Sequence, residues 1–597
     1  AEPCVFLYAC IQLRRGCHSR QRTWRRTRCT MTDGPTIVDS KIPAPECPAC
    51  GTAVEDPHTL TCSHCGAPFD RTGSTLVPTR RRRMPWLWLA LIAGTGIRLA
   101  ALPLSSPEYN LPFWHAYGWP ADHVTYVQWA RQATQPDKGL LSMYSVTPDR
   151  SFKMRLSYGE DYIDPGESAI ANYPPLGIYV IWLQGLIHVQ LDLQRTANTA
   201  LARIVFGAAP LIGDVLLAAG MWFLCTAAFS RRVAAWTTGI IYMIPPVWLD
   251  SCWWGQTDSW VLAPMVWVVA AMVRRRWLTA GIVWGIGLSL KPHAILLSPV
   301  WLFVWLDGLR DLRSRGEAGA SGRWTVRIVC AVLLGLAVLN LTALPFWLTS
   351  GAAWLRESYL RNLGDEQPFT TLKAFNIWYI DLLRTYDANS RTLMFGLAKD
   401  TWGKLLAFAG MIVCFAVVWR LRAGRSNRLI LFAGLWLLAV VMLPTRVHER
   451  YILMCLPFLI IAATQSKRLW PGTCAVIVVA CFQLTVYHWL PLSADSWTRK
   501  WIDDTIAYRN KALAQTPPEQ RDQIPTRDEA IQMRFANFRR EHAPFAPYEW
   551  ALTIVGCLAA AHLFFAAARG SRRDSDDVGG PITPDAEPAA APCPHTA

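Results

Sequence analysis

The stretch PTRVHERYILMCLPFLIIAA (444–463) sets His448, Glu449 and two arginines directly against a long apolar run. Charges so placed are costly unless they lie at a water boundary or perform work. Other parts of the chain raise the same question: Asp122 in GWPADHVTYVQWARQ, Tyr173-Pro174-Pro175, Trp254-Gly255-Gln256-Thr257-Asp258, and Lys291-Pro292. A carboxylate such as Asp122 can take a proton, while Lys291, His448 and Arg450 can meet an anion. Asp122 also fits a blander role, as the N-cap of an amphipathic helix. Asp258 could likewise cap the apolar segment that follows it, and Arg450 could pair with Glu449.

A second constellation is of metal-ligand type. CPACGTAVEDPHTLTCSHCG holds Cys47-x-x-Cys50, eleven residues, then Cys62-x-x-Cys65, each pair followed by glycine. Four thiolates at that spacing suit a tetrahedral structural zinc, and the segment resembles a short zinc ribbon. So small a module would depend on its metal to fold. Four cysteines leave no open coordination position, so a docking role for a cytoplasmic partner is expected rather than catalysis. Two disulfides or a redox pair are the other readings.

The elements that must position these residues are membrane-grade. Of 597 residues, 52% are hydrophobic and 17% charged, and apolar runs recur at spanning length. The net charge of +16 comes largely from short basic clusters between those runs, which points to topology and against a nucleic-acid surface. Arg80-Arg81-Arg82-Arg83 before the first run places the N-terminus in the cytoplasm. YPPLGIYVIWLQGLIHV (173–189) is short, opens on prolines and carries Gln184 and His188. Read as an in-plane helix, it leaves Arg231-Arg232, Arg274-Arg275-Arg276, Arg310 to Arg315, Arg420 to Arg428 and Lys467-Arg468 all on the cytoplasmic side. About twelve spans result: 86–104, 204–229, 233–249, 259–273, 278–291, 293–307, 325–348, 403–421, 428–444, 451–466, 469–490 and 549–568. Asp122, Tyr173, Gln256, Lys291 and His448 then share the outer side. Arg98 and Asp214, inside spans, are read as a structural pair.

WGQTD, KP, HER, YPP, an early outer aspartate and AFNIW (374–378) together resemble the GT-C glycosyltransferases over roughly residues 86–490. The nearest likeness is to mannosyltransferases of the PIG-V type and to the dolichyl-phosphate-glucose glucosyltransferases. The resemblance implies a polyprenyl or dolichyl phosphate sugar as donor, and inverting transfer to an extracytoplasmic glycan, lipid or protein. It implies Asp122 as the catalytic base; read from the residues alone, Asp161, Asp164 and Glu167 in YGEDYIDPGES are rival acids. Lys291, His448 and Arg450 would hold the donor phosphate without a catalytic metal, although Mg or Mn stays open. Tyr173, Trp254, Gln256 and Asp258 would line the sugar pocket, and Asn376 and Trp378 would close over the donor. No Gly-rich nucleotide loop or Asp-x-Asp motif stands in the outer loops, which argues against a nucleotide sugar.

The expected organisation is therefore an upstream extension (1–30), a disordered stretch (31–46), the zinc ribbon (47–69), a basic linker (70–83) and an all-α membrane catalytic module (84–490). An extracytoplasmic segment (491–548), a last span (549–568) and a disordered cytoplasmic tail (569–597) follow. A bacterial plasma membrane is expected over the endoplasmic reticulum. The competing reading is a transporter or flippase for a lipid-linked saccharide, whose polar site would sit near the bilayer midplane on broken helices.

Overall fold

The computed structural model describes residues 85–569 apart from internal stretches, chiefly 110–119, 145–151, 156–160, 165–170, 361–370, 380–394, 485–508 and 534–545. The chain divides into two units, Ala1–Arg83 and Met84–Ala597. The first unit, with Cys47, Cys50, Cys62 and Cys65, lies outside the described residues, as do Glu167 and the tail after Arg569.

Each of the twelve apolar segments forms a helix. They are α1 (Pro85–Leu104), α4 (Ala200–Ala228), α5 (Arg231–Met243), α6 (Ser259–Val273), α7 (Trp277–Leu290), α8 (Ser298–Ser314), α9 (Ser321–Ser350), α10 (Lys399–Trp419), α11 (Arg425–Met442), α12 (Leu456–Gln465), α13 (Trp470–Leu484) and α14 (Ala546–Arg569). Two more, α2 (Pro120–Ala133) and α3 (Pro175–Leu191), lie between α1 and α4. Among the described residues the only strands are a short antiparallel pair, β1 (Phe152–Arg155) and β2 (Asp161–Asp164), in which Arg155 faces Asp161. This is an all-α polytopic membrane architecture.

The helices that make up the roughly twelve expected spans differ in length. Seven described helices are long and apolar enough to cross a membrane: α1, α4, the run Pro292–Ser314 containing α8, α9, α10, α11 and α14. The helices α5, α6, α7, α12 and α13 run 10–15 residues, short of the roughly 20 that a bilayer core asks for. Several continue in altered form. Beyond α5 the chain turns through Pro245–Trp248 and a π-helical turn, Leu249–Trp254. The 3₁₀ turns Pro292–Leu297 and Glu449–Met454 lead into α8 and α12.

Contacts between glycines and neighbouring helices fix the directions. Gly213 of α4 meets Ser259 and Gly220 meets Trp267, so α4 and α6 run parallel. Gly281 and Gly285 of α7 face the backbone of Ala331 and Gly335, so α7 and α9 also run parallel, with their main chains in close approach. Gly403 of α10 meets Thr445 just past α11, while Gly410 meets Leu443 and Ala439, so these two run antiparallel. The basic clusters at Arg231, Arg274–Arg276, Arg310–Arg315 and Arg425–Arg428 consequently gather at one end of the bundle. There Arg428 holds Asp307 at 2.8 Å, tying α11 to α8.

Helix α3 stays at the opposite end. Its Gly177 touches the carbonyl of Leu290 at the end of α7, and its Tyr179 hydroxyl donates to Thr342 near the end of α9. Further along, Gln184 donates to the carbonyls of Val205 and Phe206 near the start of α4. Pro210 lacks the amide hydrogen that would bond Phe206, and Gln184 fills that need. Both halves of α3 thus rest against one end of the bundle, as an in-plane helix would. Arg98 and Asp214 pair at 2.7 Å, wholly buried between α1 and α4.

Candidate active site at the helix ends

The site lies where α6, α7 and the 3₁₀ turn at Glu449–Met454 meet α2. Pro174 and Pro175 begin α3 as expected, with Pro175 in the first turn, where no amide hydrogen is needed. The Tyr173 carbonyl just ahead accepts from Tyr144 at 2.6 Å and Ser358 at 2.9 Å. Helix α2 starts at Pro120, so Asp122 stands inside the first turn and not at the cap. Its carboxylate accepts the side-chain amide of Gln256.

The π-helical turn explains how Gln256 reaches it. A π turn holds one residue more than an α turn and often marks a functional position. Here it ends at Gly255, whose φ of 81° lies in the left-handed region that glycine takes without strain. The chain then reverses, and the Gln256 amide donates to the Asp250 carbonyl at 2.9 Å. Asp258 occupies the cap position of α6 without bonding through its side chain there. It takes up Lys291 instead, together with Arg450 at 3.1 Å.

Arg450 joins the parts. Its Nη1 stands 4.0 Å from the Asp122 carboxylate and 3.9 Å from Glu449, and its guanidinium lies 5.5 Å from the centre of the Trp254 ring. Burial opposes its charge, but Asp258, Asp122 and Glu449 outweigh burial and raise it well above the ordinary arginine value. Burial works against the Asp258 carboxylate too, yet Lys291 and Arg450 hold it well below the usual range. Lys291 is raised in turn, Asp258 overcoming the cost of burial. All three are charged at neutral pH. His448 is different: burial, then the charge of Arg450, lower it below its ordinary value, against the opposing pull of Glu449 at 3.8 Å. It is a neutral imidazole at pH 7.

A chain of hydroxyls completes the site. Tyr126 donates to Gln256 Oε1 at 3.2 Å, Tyr126 and Tyr173 share a 2.8 Å contact, and Tyr173 and Thr257 another at 2.8 Å. The directions follow from Asp122. An ionised carboxylate only accepts, so Gln256 donates through nitrogen and accepts through oxygen. Tyr126 therefore gives its proton to Gln256, Tyr173 gives to Tyr126, and Thr257 to Tyr173. Each donor in the series points toward Asp122, and such chains polarise cooperatively. Asp122 has 38% of its side chain exposed, against 10% for Arg450 and 3% for Lys291. The carboxylate is the member of this charged group most open to an incoming molecule.

The structure brings together Asp122, Tyr173, Trp254, Gln256, Asp258, Lys291 and Arg450, with His448 two residues from Arg450. It places Asn376 and Trp378 differently. The Asn376 amide donates to the Val441 and Pro444 carbonyls at 3.2 and 3.3 Å, and the Trp378 indole donates to Leu443 at 2.7 Å. Those polar groups fasten a loop to the end of α11. Sequence reasoning missed Tyr126 and Asp250, and gave Thr257 no role of its own. Tyr126 was within reach, since it lies four residues beyond Asp122 on the same helix face. Asp250 is buried in the π turn, and burial followed by the charge of Asp258 raises it well above the carboxylate range. His123, beside Asp122, is 1% exposed and stays neutral through burial and the nearby Arg203.

Residues 145–380, less than half of the chain, match the family described as GPI transamidase subunit PIG-U. No curated protein matches by sequence. Among solved structures, ArnT from Cupriavidus metallidurans bound to undecaprenyl phosphate aligns over 81% of this chain and 77% of its own, at 16% identity and a TM-score of 0.36.

Proposed function

We propose that this chain is an inverting glycosyltransferase of GT-C type, moving a monosaccharide, most simply mannose, from a polyprenyl or dolichyl phosphate to an extracytoplasmic glycan, lipid or protein. The observation that carries this reading is the meeting of Asp122 with Gln256, Asp258, Lys291 and Arg450 at one end of the bundle. In the proposed reaction the acceptor hydroxyl oxygen attacks the anomeric carbon and its proton passes to Asp122. The bond from that carbon to the phosphate oxygen breaks, and its electron pair stays with the phosphate. The departing phosphate monoester, with a second pKa of roughly 6, needs no proton donor. Arg450 meets its growing charge, and neutral His448 can donate a hydrogen bond. Lys291, held by Asp258, would act chiefly by fixing the carboxylate that orients Arg450.

In this reading the basic end of the bundle is cytoplasmic and the site faces outward, in a bacterial plasma membrane with both termini inside. The ribbon cysteines Cys47, Cys50, Cys62 and Cys65 would bind a structural zinc and dock a cytoplasmic partner. A site at helix ends suits group transfer better than a flippase, whose site would lie at mid-depth. A second reading, a subunit of a larger membrane transferase, draws on the family match.

The test is transfer by the purified chain from a panel of polyprenyl phosphate hexoses to radiolabelled lipid acceptors. Asp122→Asn should abolish turnover with insertion and yield unchanged; turnover at the wild-type rate would refute Asp122 as base. Activity that emerges only with a co-purified partner would favour the subunit reading.

A further inference from the structure

At the end of α7 remote from Lys291, roughly 20 Å away along a 14-residue helix, a cavity of about 880 Å³ opens between the first turns of α7 and α9. Arg275, Arg276, Arg323 and Arg327 line it, and all four are exposed. Neighbouring arginines at this end already have partners. Arg274 donates to the Phe223 carbonyl at 3.1 Å, Arg428 holds Asp307, and Arg425 lies over Trp324 at 4.9 Å. Among the described residues none of the four cavity arginines forms an ion pair. Arg275 moreover has a φ of 57°, the left-handed region where glycine or asparagine would be at ease.

The remaining wall is apolar. Leu278 and Val326 line the cavity at 54% and 61% exposure. Ile282 on α7 and Val329 and Leu333 on α9 continue an exposed apolar track toward the middle of the bundle. A soluble anion would use the arginines and ignore the track. A molecule with a phosphodiester head and acyl chains would use both, as basic pockets between membrane helices do. We infer that this cavity binds the headgroup of an anionic glycerophospholipid, its acyl chains lying along α7 and α9. The inference is independent of the reaction assigned to the opposite end.

Native mass spectrometry of the detergent-purified full chain tests it, with phosphatidylglycerol, cardiolipin and phosphatidylcholine added in turn. Anionic lipids should remain bound where phosphatidylcholine does not, and Arg323→Gln/Arg327→Gln should weaken them by roughly tenfold or more. Val326→Glu, which sets a carboxylate at the mouth without removing an arginine, should weaken them likewise. Arg231→Gln/Arg232→Gln, at the same end but outside the cavity, should change nothing. Equal retention of phosphatidylcholine, equal loss in the Arg231/Arg232 control, or displacement of the lipid by millimolar inorganic phosphate would overturn the assignment.

Discussion

Arg450 and Asp258 form a buried ion pair, Nε to Oδ2 at 3.1 Å, and Lys291 binds the other oxygen of the same carboxylate. One aspartate thus holds two cations that come from separate stretches of the sequence. Removing it leaves Lys291 buried without its carboxylate and Arg450 with only the more distant Asp122 and Glu449. Asp258→Asn is expected to destabilise the protein by about 3–5 kcal/mol, the cost typical of breaking a buried pair from one side. Asp258→Asn/Lys291→Met should recover part of that loss. Thermal unfolding of these two variants and of Lys291→Met alone gives the coupling; additive effects would show that the pair is not energetically joined.

The hydroxyl series behind Asp122 makes a graded prediction. Tyr173→Phe interrupts it two bonds away and keeps the ring 5.6 Å from Lys291, whereas Gln256→Ala removes the group that touches the carboxylate. If Asp122 is the base, turnover should fall modestly in Tyr173→Phe and by roughly ten- to a hundredfold in Gln256→Ala. Equal losses in both would mean that Tyr173 acts directly on substrate.

The buried histidines predict a pH response. His448 is lowered from 6.5 by burial and Arg450, with Glu449 and Asp122 pulling the other way, and His123 is lowered by burial, Arg203 and His188. Below the ordinary value of 6.5 the unfolded chain takes up protons that the native chain refuses. Stability is therefore full above that pH and declines as pH falls toward the lower native values. Melting temperatures taken from about pH 7.5 to about pH 5 should drop, and less steeply in His448→Asn. Parallel slopes would remove His448 from the account.

Packing supplies a fourth test. A Cβ on Gly281 would stand 2.0 Å from the Ala331 carbonyl oxygen, and backbone cannot yield as a side chain can. Gly281→Leu should cost about 1–3 kcal/mol or more and lower the yield of folded protein. Gly322→Leu, where a Cβ meets nothing within 4 Å, is the matched control and should be silent.

Much of this was legible in the sequence, because membrane helices are written in apolar runs and their ends in basic clusters. Each apolar segment became a helix, and the Tyr173-Pro174-Pro175 turn begins α3 as its prolines dictate. What escaped was set by tertiary partners. Nothing local to Asp258 says that Lys291, 33 residues on, will claim it in place of the cap. Asn376 and Trp378 have the makings of a sugar contact, yet backbone carbonyls at and just past the end of α11 take their donors. The π turn at Leu249–Trp254 has no compositional signature, so the presentation of Gln256 to α2 could be seen only in three dimensions.

The one-way order of donors behind Asp122 also bears on where a captured proton can go. An amide does not pass protons along as a hydroxyl does, and turning Gln256 over would break both of its bonds at once. The inward route is shut, as by a check valve. In the proposed reaction a proton taken by Asp122, whose side chain is 38% exposed, would then leave to solvent on its open side, and the hydroxyl series behind it would take no part in resetting the carboxylate between turnovers.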